Sequence, residues 1–278
     1  MTNQIAVITV NFNNYQVTRD FIAYFKDCVN YKIFVSDLSS TRQELKTNSH
    51  IKINIADNKG YAYGVNLGLK NALEEGFTQF IVINNDTRVN SDIIEKVTNS
   101  LKKYPDSIIG GKIYYEAGFE YFKNKYQKNE LGKVIWYAGG ICDWNNALTK
   151  HRGVDEADTG IYNQPEKTDF ITGCFMIFDK SVVDKVGYWD ESYFLYYEDA
   201  DYCERAKRNK IPLIYDPSLV IWHKNAQSTG GSGSQLHQKC QKKSRLKFGL
   251  KYAPLKTKAH LLINYLTTHE LTLGDFTN

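Results

Sequence analysis

The first hundred residues alternate between short apolar runs and longer stretches with helical periodicity. Apolar runs of strand length occupy residues 5–12, 32–37, 51–56 and 79–85. Between them, residues 15–29 and 61–75 show helical spacing, with Val65, Leu69 and Leu73 on one face of the second. Strands alternating with amphipathic helices predict a parallel sheet that is covered by helices on both faces.

After residue 105 the alternation becomes less regular. Apolar runs predict further strands at residues 108–115, 134–140, 169–179, 212–216 and 219–223. Helical patterns cover residues 181–186 and 198–209, and two more, at 235–250 and 256–270, end the chain. We therefore predict one α/β domain over residues 1–234 and a helical extension over residues 235–278.

Polar residues stand where the predicted strands end. Asn11 and Asn13 end the first strand, Asp37 ends the second, and "NND" at 84–86 follows the fourth. A tight turn alone would explain "NND", because Asn and Asp tolerate left-handed backbone. Ligands of open parallel sheets, however, bind at the carboxyl ends of the strands. The position shared by these residues favours a binding site over a simple turn.

Composition narrows the class of protein. Hydrophobic residues make up 42% and charged residues 24% of the chain, which is typical of a globular protein and argues against global disorder. The five cysteines are widely spaced and form no CxxC pair, so we expect reduced thiols rather than disulfides or a zinc site. Neither a leader pattern nor a membrane-length apolar run is visible, which predicts a cytoplasmic protein.

The net charge of +4 is unevenly distributed. No Asp or Glu occurs from Pro217 to His269, and this stretch contains nine cationic residues: Lys224, Lys239, Lys242, Lys243, Arg245, Lys247, Lys251, Lys256 and Lys258. Such a block forms a solvated basic face or a surface for anionic lipid. No nucleic-acid-binding motif accompanies the charge, so nucleic acid is not an expected partner.

Two residues at predicted strand ends are candidate metal ligands. Asp86 is a single carboxylate, and Mg²⁺ or Mn²⁺ often takes one or two protein ligands and the rest from substrate phosphates. His223 closes the last strand and is either a structural histidine or a second ligand, because imidazole suits Mn²⁺.

The helix predicted from Glu198 holds the densest group of charges. Asp201 and Arg205 have the spacing of an i,i+4 ion pair, which favours a structural role. Asp199 lies in the first turn, where the helix dipole favours an ionised carboxylate. It is either a cap of the helix or a general base.

The segment "NKGYAYGVNLG", residues 58–68, contains three glycines but matches neither a P-loop nor GxGxxG. Gly64 and Gly68 lie one helical turn apart and would let the helix approach the sheet or a ligand closely. Lys59 and Asn66 could face a diphosphate.

Taken in order, several segments resemble those of family 2 glycosyltransferases with the GT-A fold. They are "VITVNFNN", "SDLSS", "NKGYAYGVNLGL", "INNDT", "WYAGG", "HRG", "DFITGCFMI", "VGYWDESYFLYYEDADYCERA" and "WHKNAQST". The resemblance spans about residues 4–230 and is greatest to the bacterial branch that includes rhamnosyl- and galactofuranosyltransferases. It implies a Rossmann-like, mostly parallel sheet flanked by helices, followed here by a basic helical extension.

The resemblance also implies an activity and its partners. The expected reaction is inverting transfer of a sugar from a dTDP- or UDP-sugar to a hydroxyl of a glycan or lipid-linked glycan, in surface polysaccharide biosynthesis. The expected cofactor is a divalent metal, Mn²⁺ or Mg²⁺. The basic extension would hold the enzyme at an anionic membrane surface, and "STGGSGS", residues 228–234, would close over the donor as a lid.

The resemblance assigns roles to individual positions. The nucleotide base and ribose would be held by Val10, Asn11, Phe12 and Asp37, and the diphosphate by Lys59 and Asn66. Asn84, Asn85 and Asp86 stand in place of a DxD motif, with Asp86 and His223 as metal ligands; Asn84 departs from the fuller motif by replacing its first carboxylate. The general base would be Asp199, and the acceptor side would be lined by Gly173, Trp189, Asp190 and Glu198.

Two other classes of protein remain as alternatives. A nucleotidyltransferase would have a glycine-rich loop near the N-terminus, and "VNFNNYQ" has no glycine. A non-catalytic module that binds nucleotide-sugars or glycans on the same fold would differ from an enzyme by the absence of turnover.

Overall fold

The protein was analysed as a computed structural model, which describes residues 4–122, 124–224 and 235–267. The strands are β1 (Ile5–Asn11), β2 (Tyr31–Asp37), β3 (Ile51–Ile55), β4 (Gln79–Ile83), β5 (Thr87–Val89), β6 (Ile108–Tyr115), β7 (Ile135–Tyr137), β8 (Gly140–Asp143), β9 (Leu148–His151), β10 (Glu166–Lys167), β11 (Phe175–Asp179) and β12 (Leu213–His223). The helices are α1 (Tyr15–Ala23), α2 (Tyr61–Glu74), α3 (Ile93–Lys103), α4 (Lys180–Val186), α5 (Glu198–Arg208), α6 (Gln235–Tyr252) and α7 (Leu255–Thr267).

One mixed, mostly parallel sheet organises the molecule. Its order is β10-β12-β6-β11-β4-β1-β2-β3, with β5 paired to β12 and β7 paired to β6. Strands β3, β2, β1 and β4 run parallel, as do β6 and β12, whereas β11 is antiparallel to both β4 and β6. The predicted α/β class is confirmed, and the sheet brings residues from distant parts of the sequence to one edge.

Helix α2 packs unusually close to β1. A Cβ atom at Gly64 would lie against both Cγ atoms of Val10, and one at Gly68 would meet Cγ2 of Ile8. The predicted close approach of these glycines is therefore to the sheet. It holds the start of α2 near the carboxyl end of β1, where the site lies.

The structure corrects three predicted elements. Of the strand predicted at 169–179, only Phe175–Asp179 is a strand, because the Phe175 N–H instead bonds the Thr172 carbonyl in a turn. The two short strands predicted at 212–216 and 219–223 are one strand, β12, whose register shifts between Asp216 and Val220. Helix α1 ends at Ala23 rather than at residue 29, and tighter i→i+3 hydrogen bonds follow it.

The C-terminal helices pack against the α/β domain. Ala147 joins Leu246, Ala253 and Leu261 in a small apolar cluster, and the rings of Trp144 and Phe248 stack at 5.5 Å. Among the described helices, none combines the length and apolar character needed to cross a bilayer. The predicted lid at residues 228–234 lies outside the described residues.

Candidate active site

Asp86 and His223 meet at the carboxyl edge of the sheet. Asp86 lies just before β5, which pairs with the end of β12 and sets Thr87 opposite His223. Oδ1 of Asp86 lies 3.1 Å from Nε2 of His223, and both residues are buried. Within the described part of the chain, Nδ1 of His223 has no hydrogen-bond partner, and Oδ1 of Asp86 contacts Nε2 of His223 without the geometry of a hydrogen bond.

This pair suits a divalent cation that takes part of its coordination from a substrate. A carboxylate oxygen and an imidazole nitrogen are suitable ligands for Mn²⁺ and are close enough to share one ion. Buried polar atoms normally find partners, so an unpaired carboxylate oxygen at this corner is consistent with a ligand position. Residues 4–122, 124–224 and 235–267 contain no group of three or more His, Cys, Asp or Glu that could hold a metal ion.

Asn84 is held away from that pair. Its Oδ1 accepts a hydrogen bond of 2.9 Å from the hydroxyl of Tyr61, and its carbonyl accepts one of 2.7 Å from Thr87. The residue that replaces the first carboxylate of a DxD motif therefore stabilises the turn that presents Asp86.

The residues predicted to hold the nucleotide divide into a buried network and an exposed surface. Asp37 accepts hydrogen bonds from Asn11 (2.9 Å), Tyr15 (2.7 Å) and Ser39 (2.6 Å), and all four side chains are buried. A further chain of contacts joins Asn11 to Thr18 and Thr18 to Asn85, each at 2.8 Å. This network ties together the ends of β1, β2 and β4.

The side chains of Val10 and Phe12 lie at the surface of this network. Val10 is half-buried, and Phe12 is exposed. Because the polar atoms of Asn11 and Asp37 bond one another, Phe12 and the adjoining backbone form the surface that a nucleotide could contact.

The two residues predicted near the diphosphate differ in their surroundings. Lys59 is exposed, with its ammonium group 5.2 Å from the centre of the Tyr63 ring. Asn66 is buried: its amide nitrogen donates to the Trp189 carbonyl at 2.9 Å and to Glu191 at 2.8 Å, and its oxygen accepts from the Trp189 N–H at 2.9 Å. Asn66 thus fastens the segment at Trp189 to α2, whereas Lys59 can turn toward a bound anion.

Asp199 is held at the start of α5 by backbone donors. Its Oδ2 accepts from the N–H of Gly173 at 2.9 Å, and its Oδ1 accepts from the N–H of Ala200 at 2.8 Å. Burial raises the pKa of Asp199, and these two hydrogen bonds oppose the rise. Because burial outweighs the backbone donors, the Asp199 carboxylate is more basic than an ordinary aspartate.

Glu198 is the more deeply buried member of the acidic pair. Burial raises its pKa well above the ordinary value, and the charge of Asp199 raises it further. Its Oε2 has no hydrogen-bond partner among the described residues. Of the two carboxyl groups, Glu198 is therefore the one whose protonated form burial favours more strongly.

Tyr61 connects the two halves of the site, and sequence reasoning did not single it out. Its hydroxyl lies within hydrogen-bonding distance of Asn84 Oδ1 (2.9 Å) and of the Gly173 carbonyl (3.1 Å), and the N–H of Gly173 binds Asp199. The pKa of Tyr61 is raised chiefly by burial and also by neighbouring acidic groups, among them Cys174, Asp199 and Asp86. The three predicted centres, Asp86, His223 and Asp199, therefore converge on one region.

His151 and Trp136 form a wall behind the His223 ring. The Trp136 ring lies 4.5 Å from that of His223 and 4.4 Å from that of His151. Burial lowers the pKa of His151 to about 4, so its ring is neutral at neutral pH. Both belong to segments of the family resemblance, which was the available signal, but neither was assigned a role.

The predicted acceptor side is bounded by the C-terminal helix α6. Lys251 binds both Asp190 (3.2 Å) and Asp201 (2.6 Å), and Ser244 donates to the Leu195 carbonyl at 2.8 Å. Asp201 also receives hydrogen bonds from Arg205 and Tyr252, each at 2.8 Å, so the expected Asp201–Arg205 pair is confirmed. Burial acts to raise the pKa of Asp190, but Ser192 and the neighbouring lysines bring it down to about 2.

Trp189 and Gly173 lie between these groups. A Cβ atom at Gly173 would lie 3.1 Å from the Trp189 ring and 3.4 Å from the Cβ of Asp199. Trp189 is buried and stacks on Tyr202 at 5.3 Å. Both therefore shape the surroundings of the Asp199 carboxylate.

Known proteins resemble the chain in sequence and in fold. A hexosyltransferase of low-salt glycan biosynthesis, Agl10 of Haloferax volcanii, is 25% identical over 217 residues, which cover 77% of this chain and 64% of that protein. The dTDP-rhamnosyl transferase RfbF of Shigella flexneri is 22% identical over 231 residues, covering 77% of this chain and 70% of that protein. The chain thus spans less than two thirds of the length of the Haloferax relative.

Two solved structures share the fold. A crystal structure of GalNAc-T7 with UDP, GalNAc and Mn²⁺ superposes with a TM-score of 0.70 at 13% identity, covering 98% of this chain and 52% of that one. A crystal structure of S. aureus TarS 1–349 gives a TM-score of 0.50 at 14% identity, covering 96% and 71%. These likenesses confirm the predicted GT-A fold. Residues 6–187 match the family described as Glycosyl transferase family 2, and the chain therefore belongs to this family.

Proposed function

We propose that this chain is a metal-dependent, inverting glycosyltransferase that moves a hexosyl or deoxyhexosyl group from a nucleotide diphosphate to an acceptor hydroxyl. One observation carries the proposal. The Asp86–His223 pair lies on one side of Tyr61 and Gly173, and the Asp199 carboxylate lies on the other. An electrophilic corner opposite a basic carboxylate is what a direct displacement at a sugar carbon requires.

The donor is proposed to lie along the carboxyl ends of β1, β2 and β4. Phe12 and Val10 provide the surface for the base, and Lys59 provides positive charge for the diphosphate. The buried Asn11–Asp37 network supports that surface from below, and both residues are proposed to help hold the base and ribose. The relative named as a dTDP-rhamnosyl transferase supports a dTDP-sugar as the donor, and the one named as a hexosyltransferase supports transfer of a hexosyl group; the alternative donor is a UDP-sugar.

The chemistry follows from the residues on either side of the site. Asp199 takes the proton of the acceptor hydroxyl while the oxygen attacks the anomeric carbon, and the bond from that carbon to the diphosphate breaks. Asp86 and His223 would hold a divalent cation, Mn²⁺ or Mg²⁺, and that ion would supply positive charge to stabilise the departing diphosphate. Glu198, whose pKa burial raises, is placed to donate a hydrogen bond to the acceptor when it is protonated.

The acceptor is proposed to be a glycan or a lipid-linked glycan, and the product a bacterial surface polysaccharide. The acceptor would enter between Trp189 and α6, beside Asp190 and Glu198. Because α6 and α7 carry no acidic residue, an anionic membrane at the cytoplasmic face is the surface that would suit them.

A donor panel combined with one substitution tests the proposal. Candidate nucleotide-sugars would be screened for Mn²⁺-dependent transfer and hydrolysis, and the active donor used with Asp199→Asn. We expect this variant to lose activity by about a thousandfold while its affinity for the nucleotide stays within a fewfold. Asp184→Asn is the matched control, because Asp184 is an exposed aspartate paired only locally with Lys180.

Two results would contradict the proposal. Full activity of Asp199→Asn would remove the assigned base. Nucleotide-sugar binding with no turnover on any donor or acceptor would instead identify a binding module on the same fold.

A further inference from the structure

Helix α7 presents an unpartnered apolar strip to solvent. Leu255, Leu262, Ile263 and Leu266 are 83%, 39%, 60% and 61% exposed. At about 100° per residue these four side chains and Ala259 fall within an arc of roughly 100°. The opposite side of the helix docks on the protein through buried Thr257 and Leu261.

Cations border this strip on both sides. On the same helical projection, Lys256 lies next to one margin of the arc and Lys258 next to the other. The described parts of α6 and α7 contain no acidic side chain, so no internal charge opposes these lysines there. An apolar strip flanked by lysines has the pattern of a helix that lies in the plane of a membrane interface.

We propose that α7 is a membrane-interface anchor that inserts its apolar strip into an anionic lipid surface. The helix has 13 residues, about 20 Å, which is too short to span a bilayer and suited to lying along one. The apolar residues supply the hydrophobic contribution, and each lysine adds attraction to anionic headgroups.

Charge favours lipid over the two other candidates for covering this strip. A second copy of the chain would bring Lys256 and Lys258 of both copies together, with no acidic residue from α6 or α7 to offset them. The chain's own residues 268–278 contain two carboxylates, Glu270 and Asp275, but few apolar side chains to fill the strip. An anionic membrane supplies both an apolar interior and negative charge.

The position of α7 relates the anchor to the proposed acceptor side. Leu261 of α7 contacts Gly249 of α6, and α6 contacts Leu195, three residues before Glu198. A membrane beneath α7 would therefore lie beside the helix that borders the acceptor segment. This deepens the proposed function, because it makes a lipid-linked acceptor accessible while the protein is membrane-bound.

Vesicle co-sedimentation tests the anchor. Full-length protein would be mixed with phosphatidylcholine vesicles that contain or lack about one third phosphatidylglycerol. We expect binding to the anionic vesicles, and about a tenfold or greater loss of that binding in the Ile263→Gln/Leu266→Gln variant. Lys256→Gln/Lys258→Gln is expected to weaken binding about tenfold on anionic vesicles and to remove its salt dependence.

Matched controls separate this inference from the proposed enzyme activity. Val29 and Ile161 are 71% and 74% exposed elsewhere on the molecule, so Val29→Gln/Ile161→Gln should bind vesicles as the unaltered chain does. Transfer to a water-soluble acceptor should be equal in all these variants. If the unaltered chain transfers no sugar to any soluble acceptor, that result counts against the proposed enzyme activity and not against the anchor.

Three outcomes overturn the anchor. Equal binding to neutral and anionic vesicles would exclude the charge-assisted insertion. A lipid-free dimer that dissociates in Ile263→Gln/Leu266→Gln would show that a second copy covers the strip. Vesicle binding by a chain ending at Thr267, but not by the full chain, would show that residues 268–278 cover it.

Discussion

Two buried carboxylates in different regions of the molecule differ in how many hydrogen bonds they receive. At the donor corner, Asp86 is buried beside His223 with an oxygen that has no hydrogen-bond partner among the described residues. On the acceptor side, Asp201 is fully buried and receives hydrogen bonds from Arg205, Lys251 and Tyr252. A buried carboxylate oxygen without a hydrogen bond is unfavourable for folding and is the kind of atom that the proposed metal would satisfy, whereas a fully hydrogen-bonded carboxylate serves the structure around it.

The two regions are also built from different parts of the sequence. The donor corner is built by β1, β2, β4 and β12, whose ends are tied by a neutral amide and hydroxyl network around Asp37. The proposed acceptor side is built partly by α6. Lys251 and Tyr252 of α6 bind Asp201 in α5, and Ser244 donates a hydrogen bond to the segment just before α5. The basic extension is therefore part of the site's framework as well as a surface.

Among the changes that test this comparison, the largest effect is expected at the proposed donor corner, where Asp86 lies beside His223. Asp86→Asn should lower metal-dependent transfer by about a hundredfold or more, since an amide is a much weaker ligand for Mn²⁺. Its thermal midpoint without metal should stay close to that of the unaltered chain, because the amide keeps an oxygen that can lie beside Nε2 of His223. Thermal melts with Mn²⁺ and a nucleoside diphosphate should show less stabilisation in the variant. A clear loss of stability of Asp86→Asn without metal would show that Asp86, like Asp201, mainly serves to hold the fold together.

A smaller effect, on stability, is expected on the acceptor side. Asp201→Asn should reduce the free energy of unfolding by about 2–3 kcal/mol, because Lys251 and Arg205 would then surround a neutral amide. Asp184→Asn breaks an exposed i,i+4 pair with Lys180 and should cost less than about 0.5 kcal/mol. Urea titrations of both variants measure the difference. Similar losses in the two would mean that the buried cluster contributes nothing beyond a surface pair.

The smallest effect concerns the pH dependence of stability at Glu198. Above pH 4.5 an unfolded glutamate ionises, whereas the folded state keeps Glu198 protonated because burial raises its pKa. The folded state then binds more protons, so stability falls as pH rises from 4.5 through the raised pKa. The Glu198→Gln variant does not lose stability in this way. The difference between its melting temperature and that of the unaltered chain should therefore increase in favour of the variant as pH rises. A constant difference across pH would show that Glu198 ionises normally.

Periodicity predicted the parallel half of the fold well, because strands buried on both faces and amphipathic helices leave local patterns. It did not predict that residues 170–174 leave the strand pattern, since the partners of that turn, Asp199 and Cys203, lie far along the chain. The pairing of Asp86 with His223 was predicted only through the family resemblance. Tyr61 carried no signal of its own, because a tyrosine near a helix start is usually a packing residue, and its role depends on two carbonyl groups distant in sequence.

The antiparallel strand β11 affects when the central sheet can form during synthesis of the chain. The outer edge of β4 pairs with β11, which is synthesised about ninety residues later, so a nascent chain exposes that edge for an extended time. Residues Phe80 to Ile83 are apolar and buried in the finished protein, and an unpaired edge of this kind invites association between chains. The insertion of β11 that places Gly173 beside Asp199 therefore leaves this apolar edge without its partner until the later part of the chain has been made.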